Sequence, residues 1–314
     1  MGRSDLGDEP NKRISMFLGF IALLAIIIGS ISTVACTETS TASPEKVYVG
    51  STPGGAVVKT MLDIDPGKPV DFIRWHLVLR EQEKAFVMSI HYGVGKPNTP
   101  DFEGGGEKRT FLGTYTVYKE GPREIYTLKT SKMTQPVSLI KLNDDFFHVL
   151  TPDKRLMVGT GGWSYSLSRK HASSTRSTAL TTFEPAGSAS PQVVFDGRTP
   201  CQEIAKEYQW NAGDECFKLK WRLTLYRDPK TGKPTTYSIQ KTLHRTEPIE
   251  GSWIEVTGTK KDPKALIFKL DPDRPDTSLS FLVGDENVLF FLDKENRLFG
   301  GNADFSYTLN RRLD

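Results

Sequence analysis

The feature that most constrains this chain is that its sequence is written twice. Val47-Tyr-Val-Gly-Ser-Thr-Pro53 returns as Val194-Phe-Asp-Gly-Arg-Thr-Pro200, and Arg74-Trp-His-Leu-Val-Leu79 returns as Lys220-Trp-Arg-Leu-Thr-Leu225. Ile125-Tyr-Thr-Leu128 matches Ile267-Phe-Lys-Leu270, and Ser164-Tyr-Ser-Leu-Ser-Arg169 matches Ser306-Tyr-Thr-Leu-Asn-Arg311. The spacing drifts only between 142 and 147 residues, as loop insertions and deletions produce. A repeat of this length implies two homologous domains, 45–170 and 192–314, joined by a Ser/Thr/Ala-rich linker over 171–191.

The periodicity inside each unit is two. Phe217, Leu219, Trp221, Leu223 and Leu225 alternate with Lys218, Lys220, Arg222 and Thr224. Ile73, Trp75, Leu77 and Leu79 do the same in the first unit, as do Phe86, Met88, Ile90 and Tyr92. Such alternation reads as antiparallel strands with one buried face. Turn signals recur at Asp65-Pro-Gly67, Asp228-Pro-Lys-Thr-Gly232, Asp262-Pro263 and Asp271-Pro272. About eight short strands in roughly 120 residues fit a closed up-and-down barrel, which also removes exposed sheet edges. The expected fold is therefore all-β, with two tandem antiparallel lipocalin-like β-barrels following an N-terminal signal or anchor segment.

That segment covers 1–35. Lys12 and Arg13 precede an uncharged apolar run from Met16 to Ile31, and the run ends in Ser32-Thr-Val-Ala35 before Cys36. A positive flank, an apolar stretch and small residues before a cysteine are the marks of a lipoprotein export signal. Cys36 is then the lipidated residue, and 36–44 a polar tether. An uncleaved membrane anchor is the alternative, since 14–35 is long enough to span a bilayer. Either reading places the rest of the chain in the cell envelope. There the membrane is a partner through the anchor, with the outer membrane or periplasmic face favoured.

The lipobox, Gly197-Arg-Thr-Pro-Cys201 with Ile204, the later Gly251-Ser-Trp253 and the Leu-rich closing strands together resemble the NlpE-type, copper-resistance-like envelope lipoproteins. The resemblance implies a small lipocalin-like barrel with a Pro-Cys motif near its start, and a copper-linked or redox-sensing role. Members often carry Cys-x-x-Cys at the motif; here position 204 is Ile, and the first repeat has Gly54 at the place of Cys201.

With Cys36 assigned to the lipid, Cys201 and Cys216 remain as an even pair in an oxidising compartment, and a disulfide staple is expected. A redox sensor or thiol site is the functional alternative. No metal ligand set emerges from His76, His91, His148, His171 and His244, none of which has a partner at ligand spacing, and no cofactor is implied. His76 and His91 are expected on outward strand faces. Asp144-Asp145 and Asp285-Glu286 read as turns and not as acid pairs. Gly104-Gly-Gly-Glu-Lys108 lacks the P-loop pattern and falls in a long loop, 94–110, that suggests a lip over a barrel mouth. Ser164 and Ser306 have no nucleophile elbow and are expected to face outward. Trp75, Trp163, Trp221 and Trp253 are expected in the core, with a cavity lining as the alternative. Arg169 and Arg311 are candidates to stack on an indole at the barrel end.

A net charge of +3 argues against nucleic acid as a partner. No nucleophile, base and oxyanion set can be assembled, so the expectation is a protein that is not an enzyme. The leading reading is an envelope lipoprotein that binds a small hydrophobic ligand or an envelope protein. Stress, redox or copper-linked sensing is the first alternative, and a purely structural surface protein the second.

Overall fold

A computed structural model describes residues 45–170, 190–241, 247–258 and 263–313. The signal or anchor, Cys36, the tether, His171, His244, Asp262 and most of the 171–191 linker lie outside these residues. The described chain is all-β and forms two closed eight-stranded antiparallel barrels.

Barrel 1 runs through β1 (Lys46–Pro53), β2 (Phe72–Arg80), β3 (Ala85–Gly93), β4 (Glu107–Glu120), β5 (Arg123–Lys129), β6 (Val137–Asn143), β7 (Phe146–Leu150) and β8 (Ser166–Arg169). Barrel 2 repeats this order with β9 (Gln192–Pro200), β10 (Lys218–Arg227), β11 (Pro234–Lys241), β12 (Ile249–Thr257), β13 (Leu266–Leu270), β14 (Ser280–Val283), β15 (Val288–Leu292) and β16 (Thr308–Arg311). Sequential strands pair, and β1–β8 and β16–β9 close the two rings.

Alternation decides which side chains fill each barrel. Along β2, Ile73, Trp75, Leu77 and Leu79 are buried, whereas His76 and Arg80 are exposed. Along β10, Leu219, Trp221, Leu223 and Leu225 are buried. Phe217, expected on that inward face, precedes the strand and is 49% exposed, so the apolar alternation starts one step later. Full burial of one large side chain contributes roughly 2–3 kcal/mol, so these rows supply much of the folding drive.

The duplicated residues make duplicated contacts. The Trp75 indole donates to Thr52 Oγ1 at 2.9 Å, and the Trp221 indole donates to Thr199 Oγ1 at 2.8 Å. Gly50 and Gly197 sit where the closing strand crosses: a Cβ on either would lie 2.6 Å from the carbonyl oxygen of Ser166 or Thr308. Both barrels also receive a six-residue helix after the first strand, α1 (Ala56–Met61) and α2 (Gln202–Glu207). Helices this short are not stable alone. They are held by Val58 and Met61 in barrel 1, and by Ile204 and Ala205 in barrel 2.

The barrels pack on each other through equivalent residues. One apolar cluster joins Ile125, Ile140, Leu150 and Leu156 to their counterparts Ile267, Leu282, Leu292 and Leu298. Gly159 N–H donates to Asn310 Oδ1 at 2.7 Å, and its counterpart Gly301 N–H donates to Ser168 Oγ at 2.9 Å. Ser166 and Thr308, themselves equivalent, meet hydroxyl to hydroxyl at 2.9 Å. Reciprocal contacts of this kind define a two-fold, self-complementary interface like that of a homodimer. His148 and its counterpart Phe290 lie edge to face near this pseudo-axis, with centroids 5.5 Å apart.

The buried His148 ring is held neutral. Its Nε2 donates to the Met157 carbonyl at 2.9 Å, so Nδ1 accepts from the Ser166 hydroxyl at 3.0 Å and Thr308 must donate to Ser166. Burial pushes its pKa down to about 4. Ser164 and Ser306 precede the closing strands and are buried, not outward as the pattern suggested.

Candidate functional site

The two barrels differ most at the mouth beside the post-β1 helix. In barrel 2 a cavity of about 240 Å³ opens there, lined on its floor by Trp221, Ile239, Leu270 and Leu279. Trp210 and Tyr237 form walls, and Lys241, Ile249, Asp271 and Arg274 stand at the rim. The volume lies just below the range of ordinary ligand pockets, which suits a small molecule.

Strand register shows how this space arises. Trp75 faces Ile90 in barrel 1, whereas Trp221 faces Lys241 in barrel 2. Leu79 faces Phe86, whereas Leu225 faces Tyr237. Met88 faces Phe111, whereas Ile239 faces Ile249. Phe111 is 3% exposed and Ile249 49% exposed. Barrel 1 has its own concavity at the equivalent place, about 590 Å³ between Asp63, Arg109, Phe111 and 131–134, but Phe111 is buried there whereas Ile249 is exposed in barrel 2.

The polar rim is ordered. Tyr237 O–H donates to Asp271 Oδ2 at 2.7 Å. Burial and this bond both raise the phenol pKa. Gly251 makes the approach possible, because a Cβ there would collide with Asp271 Oδ1. Lys241 Nζ lies 3.5 Å from the centre of the Trp210 ring, a close cation–π contact. Burial lowers its pKa, so its charge is poorly hydrated in this position.

Trp210 is placed by the disulfide. Cys201 and Cys216 are bonded, with Cα atoms 5.7 Å apart, and the loop they close carries α2 and Trp210. Gln202 Nε2 fastens the same loop from within, donating to the carbonyls of Gly213, Asp214 and Cys216 at 3.0–3.3 Å. The staple expected from the cysteine count therefore shapes one wall of the cavity. Sequence reasoning gave no sign of this, because Trp210 lies outside the repeated segments.

The remaining candidates are placed as follows. Trp75, Trp221 and Trp253 are buried, and Trp221 is both core and cavity floor. Trp163 lies outside the barrel, stacked on Phe72 at 4.7 Å. Segment 94–106 does not hang over the mouth of barrel 1. Phe102 stacks on Phe72 at 4.2 Å, the Arg74 guanidinium donates to the Pro100 carbonyl at 2.7 Å, and His91 Nε2 pairs with the Gly105 carbonyl at 2.6 Å. The stretch is thereby pinned to the outer face of β2 and β3.

His76 is exposed on its outward face, as the alternation predicts. Arg169 pairs with Asp145 at 3.6 Å, while the indole-stacking arginines are Arg198 on Trp163 and Arg227 on Trp253. Asp144-Asp145 and Asp285-Glu286 lie in or beside the β6–β7 and β14–β15 turns, where Asn143 Oδ1 accepts from Asp145 N–H and Asp285 Oδ1 from Asn287 N–H. Among the described residues, no group of three or more His, Cys, Asp or Glu side chains is placed to hold a metal ion. No protein-family model, curated protein or solved structure matches this chain.

Proposed function

We propose that this is a non-enzymatic, membrane-anchored envelope lipoprotein whose second barrel binds a small hydrophobic molecule. The supporting observation is the mouth of barrel 2. Lys241, Tyr237 and Ile249 stand at the places of Ile90, Phe86 and Phe111, and with Trp210 they border an aromatic-walled cavity of about 240 Å³. Such a cavity, apolar within and bearing a few polar groups at its rim, is what a small ligand needs. The anchor belongs to the same reading through Cys36.

The test is titration calorimetry of the full chain with 2-naphthol, beside the double variant Lys241→Ile/Ile249→Phe. That variant restores a barrel 1-like mouth and is expected to weaken binding at least tenfold while leaving the fold intact. Equal affinity in both proteins overturns the assignment to this cavity. Loss of fatty-acid labelling in a Cys36→Ser variant checks the anchor separately.

A redox-sensing reading draws on one observation: the Cys201–Cys216 bond holds the loop carrying Trp210. It expects reduction to weaken 2-naphthol binding and the Cys201→Ser/Cys216→Ser variant to lose all sensitivity to reductant. Unchanged binding after full reduction rules it out.

A further inference from the structure

The mouth of barrel 2 carries a cation on the inner face of the sheet. Lys241 lies opposite the inward-facing Trp221, and directly opposed residues of an antiparallel pair point to the same side. Barrel 1 has Ile90 at this place, 2% exposed. An ammonium brought onto an apolar face costs stability, so its presence at the edge of a cavity asks for a reason.

The platform under it has changed as well. Trp210 follows α2 as Ile64 follows α1: the Trp210 N–H donates to the Ala205 carbonyl and the Ile64 N–H to the Lys59 carbonyl, each at 2.8 Å. Ile64 is buried, whereas Trp210 is half-buried and stands beneath the Lys241 ammonium. Two buried isoleucines of barrel 1 are thus a cation and its aromatic platform in barrel 2.

A second cation stands at the rim. Arg274 sits in the β13–β14 connection, where its N–H donates to the Asp271 carbonyl and its own carbonyl accepts from the Ser278 N–H, both at 2.9 Å. Its side chain is exposed and makes no ion pair among the described residues. Among the described residues lining the cavity, Asp271 is the one carboxylate, and its Oδ2 accepts from the Tyr237 hydroxyl. Two cations against one hydrogen-bonded carboxylate leave this mouth positive.

We propose that the ligand of this cavity is a small planar aromatic monocarboxylate, its ring against Trp210 and Trp221 and its carboxylate between Lys241 and Arg274. The inference rests on the reading of barrel 2 as a binding barrel and names the chemistry that it selects. A cationic ligand would meet two like charges, and a neutral one would use the floor and neither cation. A carboxylate takes charge-assisted hydrogen bonds from both, and a guanidinium offers it two parallel donors. The mouth's excess of one positive charge matches a monoanion. The walls favour a flat body, since the Trp210 and Trp221 rings lie 6.1 Å apart. A volume of about 240 Å³ limits that body to one or two fused rings.

The experiment is titration calorimetry of the full chain with 2-naphthoate beside 2-naphthol, at neutral pH and low, fixed ionic strength. The two probes share a ring system and differ in charge. The carboxylate is expected to bind at least tenfold more tightly. Arg274→Gln, at an exposed position, is expected to cut that preference several-fold, Lys241→Gln to cut it further, and Lys119→Gln on the surface of barrel 1 to leave it unchanged. Equal or weaker binding of 2-naphthoate, or a preference that survives both variants, overturns this inference; the cavity itself still stands if Lys241→Ile/Ile249→Phe abolishes 2-naphthol binding. Binding of neither probe overturns both readings.

Discussion

Barrel 1 and barrel 2 share a strand order, a Trp–Thr hydrogen bond, a glycine at the strand crossing and a helix across one end. They differ at a few inward positions of β3/β11 and β4/β12, and at one outward pair of β1–β2/β9–β10. The inward differences border the cavity of barrel 2, and the outward one puts Val49 and His76 in barrel 1 where barrel 2 has the Asp196–Arg222 ion pair. After duplication, the shared positions keep the fold while the others diverge. A closed barrel tolerates this because its ring of backbone hydrogen bonds does not depend on which side chain occupies the mouth.

The contrast is broken most severely at the shared interface. Leu292 is fully buried in the apolar cluster between the barrels. Leu292→Asp places an unpaired carboxylate there and is expected to cost about 4 kcal/mol or more. Urea unfolding followed by tryptophan fluorescence should show a large fall in midpoint. A loss below about 1 kcal/mol would mean that the barrels do not depend on this contact.

The next effect is electrostatic, and it is opposite in sign for two residues that break the repeat. His148 stands where barrel 2 has Phe290, and Asp285 where barrel 1 has Asn143. Burial lowers the His148 pKa to about 4, so the unfolded chain takes up a proton below about 6.5 that the folded chain refuses. Its contribution to stability is full above pH 6.5 and is lost as pH falls toward 4. The variant His148→Phe should therefore gain on the wild type across that window, by about 3 kcal/mol at its acid end. Burial raises the Asp285 pKa to about 6, so its ionisation opposes folding as pH rises from about 4 to 6. Asp285→Asn should stabilise the fold at pH 7 by about 3 kcal/mol and have little effect near pH 4. Thermal melts of the three proteins between pH 4 and 7.5 check both signs.

The smallest effect tests equivalence itself. Thr52→Val and Thr199→Val each leave a buried indole N–H without its acceptor and should each cost about 1–2 kcal/mol. Nearly equal losses by chemical denaturation sharpen the picture of one framework used twice. A twofold disparity would show that the barrels have diverged in their cores as well.

Much of this framework was legible in the chain. The strands of β2, β3 and β10 follow directly from alternation, and the disulfide is expected from the even pair Cys201 and Cys216 left once Cys36 is set aside. The turns at Asp65 and Asp228 follow from their Pro and Gly residues, and Gly67 N–H indeed bonds Asp65 Oδ1 at 2.9 Å. Other features escaped. Ser164 and Ser306 look like surface strand residues, yet both are buried in the folded chain. Segment 94–110 looks like a free lip, but its last four residues belong to β4 and the rest is held where Phe102 stacks on Phe72, a pairing between residues that alternation alone would leave facing solvent.

The sequence by itself determined the all-β architecture, its duplication and the covalent staple, because periodicity, repetition and cysteine number are local or countable properties of a chain. Only the tertiary structure decided that Lys241 and Tyr237 border a void, that Val49 occupies the place of an acid, and that equivalent residues meet across a pseudo-two-fold axis. Those facts depend on which strands become neighbours and in what register. That choice is made by closing each ring and packing the two rings together, over separations of more than a hundred residues where no local pattern reaches.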